Sequence, residues 1–92
     1  MAIRTVIESK EFVTARRRLE VDCKRLDEII EGATFVIAAT PEYFPRIDGF
    51  PKMRHCRTEA FPPYIGAFSI YFEFDKHTVT LLYIDHTDAG DG

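Results

Sequence analysis

The sequence has no tryptophan, only two cysteines and no long apolar run. Its longest apolar stretch, residues 35–39, is far shorter than the roughly 20 residues that a membrane-spanning helix needs. The first residues also lack the apolar segment of a secretion signal. Cys23 and Cys56 have neither CxxC nor metal-ligand spacing. We therefore expect reduced thiols in a cytoplasmic protein that makes no membrane contact.

Motifs for metals and nucleotides are missing as well. The sequence contains no HExxH, no CxxC and no glycine-rich phosphate loop, and neither His55 nor His77 has a partner at metal-ligand spacing. We expect no metal and no cofactor. A chain of 92 residues is too short to divide into two cores. We predict a single domain over residues 1–92, in which residues 87–92 form a flexible tail.

Positive charge is scarce in the last third of the chain, although the net charge is only −3. Residues 1–57 hold eleven Lys/Arg against nine Asp/Glu, whereas residues 58–92 hold one against six. A polyanion such as RNA would therefore meet the first part of the chain. The more common interpretation of such an asymmetry is a solvated helix face followed by an acidic tail.

Helical periodicity is the strongest signal present. Apolar residues recur every three or four positions at Phe12, Ala15, Leu19, Cys23, Leu26, Ile30, Ala33 and Ile37. The pattern predicts one bent helix or two helices, which Ser9 begins as N-cap and Pro41 ends. Residues 33–40 have strand-forming composition and could be a buried strand instead, but the unbroken spacing favours a helix.

Strand patterns occupy both ends of the chain. Residues 3–9 alternate weakly and predict a short strand or a frayed start. Residues 41–51 contain three prolines and a glycine, which predicts a loop, and residues 52–61 then predict a strand.

The last two strand patterns, residues 66–74 and 78–86, flank a short turn and predict a hairpin. In the first of them Phe68, Ile70, Phe72 and Phe74 share one face, and Ser69, Tyr71 and Glu73 share the other. The expected fold class is α+β, with one or two N-terminal helices on one face of an antiparallel sheet of three to four strands. We expect the other sheet face to carry the function.

Two segments resemble the RelE/ParE toxin superfamily, which places two N-terminal helices over an antiparallel sheet. LDEIIEGATFVIAATPEYFPRI is similar to its second helix and following loop, and GAFSIYFEFDKHTVTLLYIDH is similar to its closing hairpin. The resemblance extends roughly from Ile3 to His86. Two departures stand out: Ser69 occupies a position where family members commonly carry arginine, and Thr87 and Asp88 follow His86 where many members have basic or aromatic residues.

The resemblance implies a prokaryotic type II toxin that is held and blocked by an antitoxin protein. One branch of the superfamily cleaves mRNA on the ribosome, another inhibits DNA gyrase, and some members have no known activity. An antitoxin is expected to add a helix or a strand to an apolar surface. Residues 61–65 form an apolar stretch that would support a homodimer unless they fold onto the core.

Cleaving RNA through its 2′-hydroxyl requires a base, a donor for the leaving oxygen and fixed positive charge. The candidate residues are the acid or base His86, the charge stabilisers Arg54 and Arg57, and the substrate-binding residues Lys52, Tyr71 and Tyr83. Each also has an ordinary structural interpretation as a strand-end, edge or half-buried sheet residue.

Two hypotheses follow from these residues. The first is a toxin-like, metal-independent ribonuclease or translation inhibitor. The second is a non-catalytic protein-binding module on the same fold, which includes the gyrase-inhibitor branch. The ribonuclease requires His86 and at least one of Arg54 and Arg57 to converge on one sheet face within reach of a single phosphate.

Overall fold

The fold consists of two helices packed on one five-stranded sheet, and it confirms the predicted α+β class. The computed structural model describes residues 3–21, 23–59 and 67–87. In chain order the elements are β1 (Thr5–Glu8), α1 (Lys10–Glu20), α2 (Leu26–Ala39), a 3₁₀ turn (Pro41–Tyr43), β2 (Arg46–Ile47), β3 (Phe50–Glu59), β4 (Ala67–Phe74) and β5 (Thr78–Thr87).

The sheet has the strand order β1-β5-β4-β3-β2. Three of its four strand pairs are antiparallel, as expected, but β1 runs parallel to β5. The sheet is therefore mixed, and β2 adds a short fifth strand. The pairing of β1 with β5 joins segments from the two ends of the chain, so no local pattern in the sequence indicates it.

The helical segment is two helices rather than one bent helix. Ser9 caps α1 as predicted, since its hydroxyl accepts a hydrogen bond from the Phe12 N–H at 3.1 Å. The first helix ends at Glu20 and the second begins at Leu26. Helix α2 continues through residues 33–39, which confirms the helical interpretation of that stretch, and it gives way to the 3₁₀ turn at Pro41.

The predicted apolar stripe forms the helix side of the core. Phe12, Leu26 and Ile37 are fully buried, and they pack in one cluster with residues of β4 and β5. The strand side of that cluster consists of Phe68, Ile70, Phe72, Val79, Leu81 and Ile84. Burying each such side chain stabilises the fold by about 1.5–3 kcal/mol. We call the sheet face that carries these residues the inner face, and the opposite face the outer face.

One irregularity in β5 shifts the register of the sheet. Tyr71 pairs with Tyr83, but its neighbour Phe72 pairs with Leu81, so Leu82 is an extra residue on β5. The Ser9 hydroxyl donates to the Leu82 carbonyl at 3.0 Å, which ties the start of α1 to this bulge. The bulge keeps both Leu81 and Ile84 in the core while Tyr83 stays opposite Tyr71.

The predicted hairpin is confirmed, with its turn at residues 75–77. The Asp75 carboxylate accepts hydrogen bonds from the N–H groups of His77 and Thr78, both at 2.8 Å. These bonds, above all the one from His77, lower the pKa of the Asp75 carboxyl group. Strand β5 continues to Thr87, so the prediction that the tail begins at residue 87 is wrong by one residue. Residues 88–92 lie outside the described part of the chain.

Two further expectations concern loops. Residues 41–51 were expected to form a loop, but Arg46–Ile47 pair with β3, and Gly49 turns the chain at a φ of 84°. Glycine adopts this left-handed conformation without strain. The apolar stretch 61–65 falls outside the described residues.

Both cysteines are free and buried. Burial raises the pKa of the Cys56 thiol, which keeps it protonated and weakly nucleophilic. In the described ranges, neither helix has the length and apolar character needed to cross a bilayer.

Candidate site on the outer sheet face

An aromatic row crosses the outer face. His55, Tyr71 and Tyr83 stand directly opposite one another on β3, β4 and β5. Residues paired in this way project from the same face of a sheet. The His55 and Tyr71 rings meet edge to face, with centroids 6.3 Å apart and planes at 67°. Tyr83 is 38% exposed and Tyr71 is half-buried, so the row offers ring surface to a ligand.

A second row lies beside the first, two residues along each strand. It consists of Arg57, Ser69 and Asp85, again directly opposite one another. Arg57 and Asp85 are exposed, while Ser69 is 8% exposed. His55 and Arg57 are neighbours on the same face of β3, with Cα atoms about 7 Å apart. An imidazole and a guanidinium are therefore close enough to contact one phosphate.

Basic side chains border the aromatic row at one end. Tyr83 lines a depression of about 240 Å³ together with α1, which contributes Lys10, Arg18 and Glu11 to its wall. Lys10 and Arg18 lie on one stripe of the helix, since they are eight positions apart. With two basic side chains against one carboxylate, α1 gives this end of the row a positive balance that the C-terminal hairpin lacks.

Lys52 is placed apart from this row. It lines a separate depression of about 200 Å³ with Glu73 and Asp75 among its neighbours. The two carboxylates give that depression a negative balance, which does not favour a phosphate.

His86 lies on the other side of the sheet. It pairs with Phe68, whose side chain is fully buried in the core, and the two rings meet edge to face at 5.7 Å and 82°. The imidazole is exposed at the end of the inner face. The sheet itself therefore separates His86 from Arg57, Tyr71 and Tyr83.

Arg54 also belongs to the inner face, opposite Phe72. Its Nη1 donates to the carbonyls of Phe44 at 2.6 Å and Glu42 at 3.0 Å, and its guanidinium lies 5.3 Å from the centre of the Phe74 ring. From strand spacings, the Cα atoms of Arg54 and His86 are about 16 Å apart. The structure therefore brings His86 within reach of neither arginine.

His55 is the residue that sequence reasoning did not select for the site. Strand alternation places it on the same face as Arg57, and the structure confirms that alternation: Cys56 between them is buried and pairs with the core residue Ile70. What the sequence lacked was the register between β3 and β4, which sets His55 beside Tyr71. The alternation that groups His55 with Arg57 was therefore present in the sequence, but the strand pairing was needed to place Tyr71 beside them.

A second surface lies at the helix side of β1. A groove of about 660 Å³ runs between β1, α1 and α2, and we call it the helix groove. Its lining residues are Ile3, Arg4, Val6, Glu8, Arg16, Glu20, Asp27, Ile30, Glu31, Thr34, Phe35 and Ala38. Phe35 is 65% exposed, and the buried Thr34 hydroxyl has no hydrogen-bond partner among the described residues.

Within residues 3–21, 23–59 and 67–87, no cluster of three His, Cys, Asp or Glu side chains could hold a metal ion. Comparison of the chain with models of known protein families and with curated proteins finds no match. The resemblance to the RelE/ParE superfamily therefore stays a prediction from the motifs. The geometry by itself offers an imidazole, a guanidinium and two phenol rings on one sheet face.

Proposed function

We propose that this protein is the toxin-like component of a type II toxin–antitoxin pair in a prokaryotic cytoplasm, and that it cleaves RNA at its outer sheet face. The observation that carries the proposal is the convergence of His55 and Arg57 with the two tyrosines of the aromatic row. The resemblance of the helix and hairpin motifs supplies the toxin assignment. In this proposal His55 takes the role expected for His86.

The cleavage step uses the 2′-hydroxyl as nucleophile and needs no metal. His55 accepts the proton of that hydroxyl as its oxygen attacks the adjacent phosphorus. The Arg57 guanidinium stabilises the negative charge that develops on the phosphate oxygens. The bond to the 5′-oxygen breaks, and that oxygen takes a proton from the Tyr71 hydroxyl. The products are a 2′,3′-cyclic phosphate and a free 5′-hydroxyl.

Substrate positioning falls to the rings and to the basic rim. Bases of a single strand stack on aromatic side chains, at about 1–3 kcal/mol per base. Tyr83 is the more exposed of the two tyrosines and is the stacking surface for a neighbouring base. Lys10 and Arg18 beside it attract the phosphate backbone.

The three histidines give a matched test. We would induce wild type, His55→Ala, His86→Ala, His77→Ala and Arg57→Ala in a bacterial host, and follow growth and total mRNA. We expect wild type, His86→Ala and the turn variant His77→Ala to arrest growth with loss of mRNA, and His55→Ala and Arg57→Ala to do neither. Circular dichroism would establish that each variant is folded.

Other outcomes would contradict the proposal in distinguishable ways. Loss of activity in His86→Ala with retention in His55→Ala would place the site on the inner face. Arrest with intact mRNA would favour the gyrase-inhibitor branch. No effect from well-expressed, folded wild type would favour a module without catalysis.

The helix groove supports a second candidate, a non-catalytic protein-binding module. Phe35 and Ile3 are exposed apolar side chains at this groove, whereas Asp27 and Glu31 form an acidic rim. A partner helix with one apolar stripe and flanking Lys or Arg residues fits this combination. Co-expression with an antitoxin tests it: Phe35→Asp should abolish co-purification, whereas Tyr43→Asp, at an exposed aromatic residue outside the groove lining, should not.

A further inference from the structure

The β1 edge of the sheet carries main-chain groups that point away from the sheet. Strand β1 binds β5 through alternate residues, as shown by the Thr5 N–H to His77 carbonyl and Ser9 N–H to Leu81 carbonyl hydrogen bonds, each 2.9 Å. In a parallel pair, every second residue of a strand binds the neighbouring strand, and the residues that alternate with these direct their N–H and C=O groups to the other side. Val6 and Glu8 therefore present theirs to the edge.

The opposite edge of the sheet is protected where β2 forms it. Strand β2 is only two residues long, follows Pro45, begins with Arg46 and pairs with a register shift. Shortness, proline, positive charge and irregular pairing all discourage a further strand from adding. Strand β1, with the sequence TVIE, has neither lysine nor proline. An edge of this kind is a template for pairing with another strand.

Helix α2 limits the open part of this edge. The Arg4 N–H donates to the Ala38 carbonyl at 3.2 Å and is no longer available. Only the segment from Val6 to Glu8 can accept a new strand with all of its groups satisfied. This limit selects one pairing register from the alternatives.

We propose that a second copy of this chain pairs with β1 in antiparallel orientation, around a two-fold axis at Ile7. In this register Val6 of each copy exchanges both main-chain hydrogen bonds with Glu8 of the other copy. Every outward group of these two residues then has a partner. An axis at Val6 would require the Arg4 N–H, which Ala38 already occupies.

The side chains at the seam match this symmetry. Ile7 is 50% exposed, and the axis sets it against Ile7 of the second copy with Cα atoms about 4.5 Å apart. Thr5 lies on the same side of the strand as Ile7, so this side of the seam carries no charge. An interface around a two-fold axis must be complementary to itself, and an uncharged isoleucine on the axis meets that requirement.

The charged residues of β1 do not oppose pairing either. On the other side of the strand, the Glu8 carboxylate accepts a hydrogen bond from Arg16 Nη1 at 2.6 Å. Arg4 Nε donates to the Asp75 carbonyl at 2.7 Å. Both charges are already held within their own chain, so the dimer leaves no new unpaired charge at the seam. The dimer is independent of the RNA activity proposed for the outer face.

A cysteine placed on the axis tests the register. Cα atoms about 4.5 Å apart lie within the range that a disulfide spans. We expect Ile7→Cys to form a covalent dimer on mild oxidation, visible by non-reducing electrophoresis. The native cysteines are buried, and oxidation of the wild type shows how much cross-linking they cause by themselves. Thr5→Cys is the matched control, because Thr5 faces Ser9 of the second copy and should not cross-link; cross-linking in Thr5→Cys but not in Ile7→Cys would overturn the register.

The oligomeric state tests the interface itself. Sedimentation equilibrium of the wild type should give twice the chain mass of 10.6 kDa, falling towards one chain on dilution. Ile7→Lys places two like charges across the axis and should give a monomer with unchanged circular dichroism. Tyr43→Lys, at an exposed residue away from β1, should stay dimeric. A monomeric wild type at all concentrations, or a dimeric Ile7→Lys, would overturn the proposal.

Discussion

The two faces of the sheet use neighbouring residues for different purposes. On the inner face, Phe68 and Phe72 are fully buried against the helices. On the outer face, Tyr71 between them is half-buried and Tyr83 beside it is exposed. Because side chains alternate along a strand, a shift of one residue decides whether a side chain packs the core or meets a ligand.

The two arginines of β3 show the difference most directly. Arg54 is bound to two backbone carbonyls and lies over a ring, so its charge stabilises the loop that follows α2. Arg57 is exposed beside Ser69 and His55. Arg54 is therefore occupied by contacts within the protein, whereas Arg57, three residues further along the same strand, is accessible to a ligand.

The largest expected effect separates the faces by stability. Phe72→Ala removes a fully buried ring that also packs edge to face on Phe44 at 5.7 Å, and should cost about 3–5 kcal/mol of unfolding free energy. Tyr71→Ala on the outer face should cost about 1 kcal/mol. Urea denaturation followed by circular dichroism measures both. Equal costs would mean that the two faces are not distinguished by burial.

A smaller effect separates the two arginines. Arg54→Ala leaves the Phe44 and Glu42 carbonyls without their charged donor and should lower the unfolding free energy by about 2–3 kcal/mol. Arg57→Ala should change it by less than about 0.5 kcal/mol, as is usual for exposed residues. Urea denaturation of both variants measures these changes, and a larger loss for Arg57→Ala than for Arg54→Ala would contradict the roles assigned to the two arginines.

Much of this arrangement was predictable because it is local. The three-four spacing from Phe12 to Ile37 gave the helix side of the core, and alternation around Tyr71 gave both faces of the hairpin. Whether His86 or the two tyrosines join His55 and Arg57 depended instead on pairing between strands. That pairing is set by packing of distant segments, and the extra Leu82 in β5 shifts it without any turn residue to mark the place.

A third prediction concerns the link between α1 and the bulge that holds Tyr83 in place. Ser9→Ala removes the acceptor for the Phe12 N–H and the donor to the Leu82 carbonyl, and should cost about 1 kcal/mol. Thr14→Ala, which loses only a bond to the Lys10 carbonyl within the exposed helix, is the control and should cost less. Thermal or urea unfolding of the pair would decide, and a larger loss in Thr14→Ala would contradict the role assigned to the cap.

The smallest expected effect lies in the turn between β4 and β5, which belongs to neither face. The folded state lowers the pKa of the Asp75 carboxyl group, chiefly through the hydrogen bond from the His77 N–H and then that from Thr78. The unfolded chain therefore binds this proton more readily, and stability rises with pH across the interval between the folded and unfolded pKa values. This contribution to stability is present above the pKa of the carboxyl group in the unfolded chain, near 3.9, and is lost as the pH falls through its pKa in the folded state. Asp75→Asn should flatten the acid limb of a plot of unfolding free energy against pH. Lys76→Gln, in the same turn but without a carboxylate, should leave that limb unchanged, and a steeper limb in Asp75→Asn would show that the sign assigned to this group is wrong.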